Sequence, residues 1–196
     1  MKTAVLTYHD DRRQEVANLS MPNIAAFAAN NGFEHVNCYQ PNFDRPFMQK
    51  VHLLEEYIGQ YDRVLYCDLD VLFTPGAKAD KLFCKDINCS LDSQGFNTGF
   101  MTFRNTPQVR RVVQIWSQLG LMRFARYREQ DTFQWLEYSF KWIHDLTYSI
   151  PTGVVANRQN FWAGEVAYHF WCHHDPANCI QRMREALKGL TPVVKP

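Results

Sequence analysis

The sequence of 196 residues has no apolar stretch approaching the roughly 20 residues that a membrane-spanning helix needs. It also lacks an excess of basic charge, with 21 Lys and Arg against 20 Asp and Glu, and such an excess is typical of nucleic-acid-binding proteins. The six cysteines form no CxxC pair, which disfavours a structural zinc site. We therefore predict a protein with no membrane span and no nucleic-acid partner.

The amino terminus lacks an export signal of the usual form. The segment MKTAVLTYHDD turns polar too early for a complete apolar h-region, so we expect a cytoplasmic protein with reduced thiols. Hydrophobic residues make up 46% of the chain, which indicates a folded globular protein. The length suits one domain over residues 1–196, and no repeat or linker interrupts it.

The stretch YDRVLYCDLDVLFTP, residues 61–75, contains two acids between apolar runs. The run before Asp68 predicts a buried strand, and continued strand geometry would put Asp68 and Asp70 on the same side. Two buried and unpaired carboxylates are costly, and a divalent cation such as Mg²⁺ or Mn²⁺ removes that cost. The alternative is a surface strand end with two solvated acids.

The rest of the chain alternates predicted strands and helices, which favours an α/β nucleotide-binding fold with its ligand beyond the strand ends. The predicted elements are a strand at 3–7, one or two helices over 10–30 interrupted near Met21-Pro22, a strand at 33–39, a helix at 47–57, a turn and strand over 95–104, a helix capped by Thr106 and Pro107, a helix opened by Glu129, a strand or loop over 142–150, a last strand at 166–171 and a helix at 180–190.

Four polar features of these elements have ordinary structural explanations as well as functional ones. Lys50 could be a solvated helix lysine, and Gly95 and Gly99 could form a plain turn, although two glycines beside amides also suit a backbone close to a ligand. The acids that begin at Glu129 suit a helix dipole. His169 could be a core histidine, but beside an Asp-x-Asp site it is a natural third metal ligand.

Taken in order, four segments resemble the GT-A glycosyltransferases, which use a metal to bind a nucleotide sugar. The segments are YDRVLYCDLDVLFTP (61–75), FNTGFMTFRNT (96–106), REQDTFQWL (128–136) and HFWCHHDPANCIQRMREAL (169–187). Among these enzymes the chain is most similar to glycosyltransferase family 34, with family 8 as a neighbour. The resemblance implies an α/β fold, a single GT-A (Rossmann-like) domain with a mixed, mostly parallel central sheet flanked by helices.

The resemblance also implies a set of site residues. Asp68, Asp70 and His169 would bind Mn²⁺ or Mg²⁺. The residues implied around the donor are Thr7 and Tyr8 at the nucleoside, Lys50 at the base or phosphates, Leu69 between the two aspartates, Asn97 and Thr98 at the donor sugar, Gly164 with Trp162 near the acceptor groove, and His174 or His173 at the diphosphate. In the last case Asp175 occupies the place of the lysine that family 8 uses.

The same resemblance implies the reaction. Glu129, Gln130 and Asp131 would lie on the far side of the sugar from the leaving diphosphate. A UDP-sugar is the favoured donor and GDP-mannose is possible, and the acceptor is a hydroxyl of a glycan or another molecule. Family 34 enzymes are retaining, so we expect front-face attack, with the leaving phosphate taking the acceptor proton and a group near Gln130 stabilising the positively charged sugar.

Two other functions fit parts of the same sequence. A nucleotidyltransferase normally has a Gly-rich basic loop after its first strand, whereas this chain has TYHDDRR there, without glycine. A non-catalytic carbohydrate- or nucleotide-binding protein on a transferase fold would suit the aromatic content, but such a protein has no need of three metal ligands. Metal-dependent hydrolysis of a nucleotide sugar would separate both alternatives from a transferase.

Overall fold

The computed structural model describes residues 1–40, 46–93, 95–121, 129–157, 165–170 and 176–190. Within these residues the strands are β1 (Thr3–His9), β2 (Glu34–Tyr39), β3 (Arg63–Cys67), β4 (Val71–Phe73), β5 (Ile87–Asp92), β6 (Gly95–Arg104), β7 (Thr147–Ile150), β8 (Val155–Asn157) and β9 (Ala167–His169). The helices are α1 (Gln14–Asn30), α2 (Pro46–Tyr57), α3 (Pro107–Leu121), α4 (Glu129–Ser139), α5 (Lys141–Leu146) and α6 (Pro176–Leu190).

A six-stranded sheet in the order β2-β1-β3-β6-β5-β7 forms the centre of the molecule. The pairs β1–β2, β1–β3 and β5–β7 are parallel, whereas β6 is antiparallel to both β3 and β5. The predicted α/β fold with a mixed, mostly parallel sheet is therefore confirmed. Because β6 runs against β3, its first residues meet the carboxyl end of β3.

Both faces of this sheet are buried at the central strand β3, which explains the unbroken apolar run of that strand. Val64 and Tyr66 pack into one cluster with residues of α2, α3 and α4, while Leu65 and Cys67 pack into a second cluster with residues of α1. Neighbouring residues of a strand point to opposite faces, so a strand buried on both sides cannot alternate apolar with polar residues.

A second, three-stranded sheet in the order β4-β9-β8 lies beyond the end of β3. Strand β4 pairs antiparallel with β9, so that Val71 is opposite His169. The structure also confirms a strand in the 166–171 segment, although it extends only over Ala167–His169. This pairing brings the late histidine to the Asp-x-Asp segment.

The predicted interruption of the first helix at Met21-Pro22 is wrong, because α1 continues through Pro22. Buried residues before and after the proline, among them Val16, Ser20 and Ile24, lie at helical spacing on one face. Packing of that single face outweighs the hydrogen bond that the proline removes.

Segment 142–150 was predicted as a strand or loop, and the structure shows helix up to Leu146 followed by strand β7. The Thr147 hydroxyl donates a hydrogen bond to the Ile143 carbonyl at 2.8 Å, which ties the strand to the helix end.

The expectation of reduced thiols is wrong for Cys179 in α6, which is disulfide-bonded. None of the helices that the structure describes is long and apolar enough to cross a membrane.

Thr106 caps α3, as the sequence predicts. Its hydroxyl accepts a hydrogen bond from the backbone N–H of Val109 at 3.2 Å, and Pro107 is the first helical residue. We expect Thr106→Ala to lower the free energy of unfolding by about 1 kcal/mol, or roughly 2–4 °C in Tm, because the N–H loses its partner. Thermal unfolding measures this, and Thr152→Ala at an exposed position is the control. Equal Tm changes in the two variants would contradict the cap.

Candidate active site

The Asp-x-Asp segment forms a tight turn, not the continued strand that the sequence suggested. Strand β3 ends at Cys67, and the backbone N–H of Val71 donates to the Asp68 carbonyl at 3.2 Å. The backbone N–H of Asp68 donates to the Gly99 carbonyl at 2.8 Å, which anchors the turn to β6. The turn lies at the carboxyl end of β3, the edge where α/β folds bind ligands.

Asp68 and Asp70 meet His169 at this turn. Each of the three offers one ligand atom, and the three atoms lie within 4.8 Å of one another. His169 Nε2 lies 3.2 Å from Asp70 Oδ1, and both side chains are buried. In the described part of the chain, no other group of three or more His, Cys, Asp or Glu side chains is arranged to hold a metal ion.

Gly99 provides the space in which these side chains converge. A Cβ atom at this position would overlap His169 Cε1 and lie 2.8 Å from Asp68 Oδ2 and 2.9 Å from Asn97 Oδ1. The sequence suggested a backbone that approaches a ligand here. The structure shows that the backbone of β6 approaches the three candidate metal ligands.

Lys50 lies between Asp68 and Glu129 and is almost fully buried. Its Nζ is 3.3 Å from Asp68 Oδ1, 3.0 Å from Glu129 Oε1 and 3.3 Å from the Thr98 carbonyl. Burial alone would lower the pKa of Lys50, but the carboxylates of Asp68 and Glu129 raise it above its usual value. Lys50 is therefore a fixed positive charge, not a solvated helix lysine.

Tyr66 is the second buried neighbour of Asp68, and no sequence motif singles it out. Its hydroxyl donates to Asp68 Oδ1 at 2.8 Å, and its ring lies 5.2 Å from the Lys50 ammonium. Burial, followed by the nearby Asp68 charge, raises the pKa of Tyr66 well above its usual value. The hydroxyl thus stays a donor to the carboxylate.

Glu129 joins this group from the first turn of α4. Its Oε1 accepts hydrogen bonds from Lys50 and from the Thr98 hydroxyl at 3.3 Å. The indole of Trp116 donates to the Glu129 backbone carbonyl at 3.0 Å, which fixes the start of the helix. Gln130 is half-buried and Asp131 is exposed, so of the three predicted residues only Glu129 is buried beside Lys50.

The electrostatics of His169 follow from its position against Asp70. Burial alone would lower the pKa of His169, and the Asp70 carboxylate outweighs this and raises it. A proton on His169 therefore pairs with Asp70. A cation at the same place would compete with that proton, because a metal ligand must be the neutral imidazole.

At the end of β1, Thr7 and Tyr8 lie on the same sheet edge, since β1 is parallel to β3. The Thr7 hydroxyl is buried and contacts His35 Nε2 at 3.1 Å and Asn37 Oδ1 at 3.3 Å. The Tyr8 hydroxyl is buried and has no hydrogen-bond partner among the described residues. A nucleoside contact for these residues stays a prediction.

The remaining predicted residues lie in different surroundings. Asn97 donates to Asp92 at 2.9 Å and accepts from the Gly99 N–H at 2.8 Å, so its amide ties the end of β5 to the part of β6 beside the candidate ligands. Leu69 packs in a third apolar cluster together with Met183 of α6. Gly164, His174 and the other predicted residues of 161–164 and 171–175 lie outside the described residues.

The donor atoms of this group suit a divalent metal ion. Two carboxylates and one imidazole are suitable donors, and three donors leave further coordination positions for phosphates or water. When His169 is neutral, the three carboxylates of Asp68, Asp70 and Glu129 and the single ammonium of Lys50 give the cluster a net charge of −2, which favours a cation. Asp68 Oδ2 and His169 converge beside a glycine whose missing side chain leaves them room.

Three solved structures that this chain resembles are glycosyltransferases. A glycosyltransferase involved in the glycosylation of the major capsid of PBCV-1 matches with a TM-score of 0.77 at 13% identity, over 94% of this chain and 100% of that chain. The galactosyltransferase LgtC, in complex with donor and acceptor sugar analogues, matches with a TM-score of 0.64 at 14% identity, over 97% of both chains.

A third structure, the glycosyltransferase GlyE of Streptococcus pneumoniae TIGR4, has a TM-score of 0.64 at 14% identity, over 94% of this chain and 60% of that chain. The sequence itself matches no protein-family model and no curated protein. The structural agreement covers nearly the whole chain and includes the mixed central sheet predicted above. The chain therefore has the GT-A, Rossmann-like fold of these glycosyltransferases.

Proposed function

We propose that this protein is a metal-dependent, retaining glycosyltransferase with a single catalytic domain. It moves a hexose or pentose from a nucleoside-diphosphate sugar, with a UDP-sugar as the favoured donor, to an acceptor hydroxyl of a glycan or another molecule. The observation that carries the proposal is the group of Asp68, Asp70 and His169 at the sheet edge of a GT-A fold.

The three ligands would hold Mn²⁺ or Mg²⁺ against the donor diphosphate. A bound divalent cation supplies the positive charge that offsets the charge building up on the leaving group. The protein keeps the ligands in place, with Tyr66 and Lys50 on Asp68 and the β4–β9 pairing at His169. Such fixed groups need no reorganisation when the reaction occurs.

We infer that Glu129 is the carboxylate that meets the donor sugar, because it is buried beside Lys50 whereas Asp131 is exposed. Lys50 and Thr98 hold its Oε1, whereas its Oε2 is buried and has no hydrogen-bond partner among the described residues. An unpaired buried oxygen is costly, and a hydroxyl of the donor sugar would satisfy it once the side chain turns toward the ligand. Together with Gln130, the Glu129 carboxylate would stabilise the positive charge of an oxocarbenium-like transition state, while the leaving phosphate takes the acceptor proton.

Nucleotide-dependent stabilisation tests the proposal. In Mn²⁺, UDP at about 100 times its Kd is expected to raise the Tm by roughly 5–10 °C, because a ligand that binds only the folded state stabilises it by about 2.7 kcal/mol. Without a divalent cation the shift should disappear. Asp70→Asn should abolish it, whereas Asp80→Asn at an exposed position should keep it.

The same panel distinguishes the alternatives. A shift with GDP in place of UDP would change the donor and leave the reaction class standing, whereas the absence of a shift with any nucleoside diphosphate and metal would contradict the proposal. Mn²⁺-dependent hydrolysis of the corresponding nucleotide sugar without acceptor then separates a transferase from a binding protein or a nucleotidyltransferase, because neither of these should release the sugar.

A further inference from the structure

We propose that Tyr66 is a positioning residue for Asp68, whose hydroxyl fixes one oxygen of the carboxylate so that the other faces the cation. The inference rests on the proposed function, since it assumes that Asp68 is a metal ligand. It concerns a residue that lies in the apolar run before the Asp-x-Asp turn.

The contacts of Asp68 divide its two oxygens. Oδ1 accepts the hydrogen bond from the Tyr66 hydroxyl at 2.8 Å. Oδ2 is the oxygen beside Gly99, where the His169 ring also lies. Oδ1 thus accepts the hydrogen bond from the tyrosine, whereas Oδ2 lies beside Gly99 and the His169 ring.

Lys50 does not distinguish between the two carboxylate oxygens of Asp68. Its Nζ lies 3.3 Å from Oδ1 and 3.4 Å from Oδ2 of Asp68, so it adds charge to both oxygens almost equally. The Asp68 side chain is 28% exposed, so water can reach the carboxylate and compete for it. Among the contacts described, the Tyr66 hydroxyl is therefore the one that sets the rotation of the carboxylate.

Packing in the core holds the Tyr66 ring in one position. The residue is 2% exposed, and its ring contributes to the cluster on the α2, α3 and α4 side of the sheet. A Tyr66→Phe substitution removes the hydroxyl and keeps the ring, including its contact with the Lys50 ammonium. Partners that orient metal ligands typically change metal affinity by about 10–100-fold when they are removed.

The test is a Mn²⁺ titration of the whole protein, followed by electron paramagnetic resonance of the free ion. We expect Tyr66→Phe to raise the Kd for Mn²⁺ by about tenfold. In EDTA the variant should still unfold cooperatively, with a Tm lowered by several degrees because the hydrogen bond to the carboxylate is lost. Tyr138→Phe, at a tyrosine that is 89% exposed, is the matched control and should leave the Kd unchanged.

The same substitution in an Asp68→Ala background separates positioning from packing. A residue that acts through Asp68 has nothing left to position there, so Tyr66→Phe should leave the already weak Mn²⁺ Kd of Asp68→Ala unchanged. The inference would be overturned if Tyr66→Phe weakened Mn²⁺ binding equally in the unsubstituted protein and in the Asp68→Ala background. It would also be overturned if the substitution left the Mn²⁺ Kd of the otherwise unsubstituted protein unchanged or made it tighter, or if the variant failed to fold in EDTA. In each case the proposed function would stand.

A different result would show failure of the proposed function. If the unsubstituted protein binds no Mn²⁺ at millimolar concentration, the metal site itself is wrong, and the positioning role of Tyr66 is overturned with it. Binding by the unsubstituted protein together with no effect of Tyr66→Phe overturns only the positioning role.

Discussion

Replacing Gly99 with alanine is expected to weaken Mn²⁺ binding by at least 100-fold and to abolish metal-dependent sugar transfer. The added Cβ would overlap His169 Cε1 and lie 2.8 Å from Asp68 Oδ2, so it would fill the space where two ligands converge. The crowded atoms belong to side chains, so either the candidate ligands themselves shift or β6 moves away from the turn. The hydrogen bond from Asp68 N–H to the Gly99 carbonyl opposes the second movement. Metal–ligand distances vary by only about 0.2 Å, so displacing two of the three candidate ligands would break the coordination of the ion.

The effect comes from the side chain and not from the backbone. Among the described residues, the glycines with positive φ are Gly32, Gly76 and Gly95, so the backbone at Gly99 accepts alanine. Crowding at such a packed position typically costs about 1–3 kcal/mol in the free energy of unfolding. The variant should therefore fold, with a lowered Tm and a disrupted metal site.

Gly59→Ala is the matched control, because its added Cβ would meet no atom within 4 Å. The Mn²⁺ Kd of each variant, measured by isothermal titration calorimetry, gives the comparison. A Gly99→Ala protein with a Kd within threefold of the Gly59→Ala protein would show that the three side chains do not bind the ion together.

Lys50→Met is expected to lower the free energy of unfolding at pH 7 by about 3–5 kcal/mol, a large part of the stability of a typical domain. Methionine fills most of the volume of the lysine stem, so the loss is mainly electrostatic. Asp68 and Glu129 would lose their shared cation, and the Thr98 carbonyl would lose a donor. A buried charge left without its partner is far more costly than the pair is stabilising.

Addition of Mn²⁺ should restore part of this stability, because the ion brings positive charge to the Asp68 side of the same cluster. Urea denaturation with and without Mn²⁺ measures both effects. Lys141→Met removes the lysine of the exposed pair with Asp145, which is 3.0 Å long, and is the matched control. We expect less than about 1 kcal/mol there. Similar losses at Lys50 and Lys141 would contradict the buried network.

The sequence was sufficient for the sheet and for the position of the Asp-x-Asp segment at its edge, because both depend on strong local signals. The apolar run of β3 has no polar alternation, and this pattern predicts burial on both faces. Asp68 and Asp70 follow the run directly. His169 lies in a short predicted strand, but only the pairing of β4 with β9 shows that it meets the aspartates.

The network around Lys50 could not be predicted, because it joins elements that are distant in the chain. Spacing along α2 shows where Lys50 lies on the helix, but not that Glu129 of α4 and Asp68 face it across the sheet edge. Tyr66 gives no signal of its own in an apolar run, since a tyrosine there is equally a core residue. Gly99 could be recognised as a close approach, but the partner in that approach could not.

The antiparallel pairing of β4 with β9 determines when the candidate site forms during folding. Asp70 belongs to the first half of the chain and His169 to the last part, so their meeting closes a long loop and incurs its entropic cost. A nascent chain that has not yet emerged past β9 therefore has two of the three ligands and no complete site. Capture of the cation is then restricted to chains whose late strands have already docked, and the ion selectively stabilises those chains over partly folded ones.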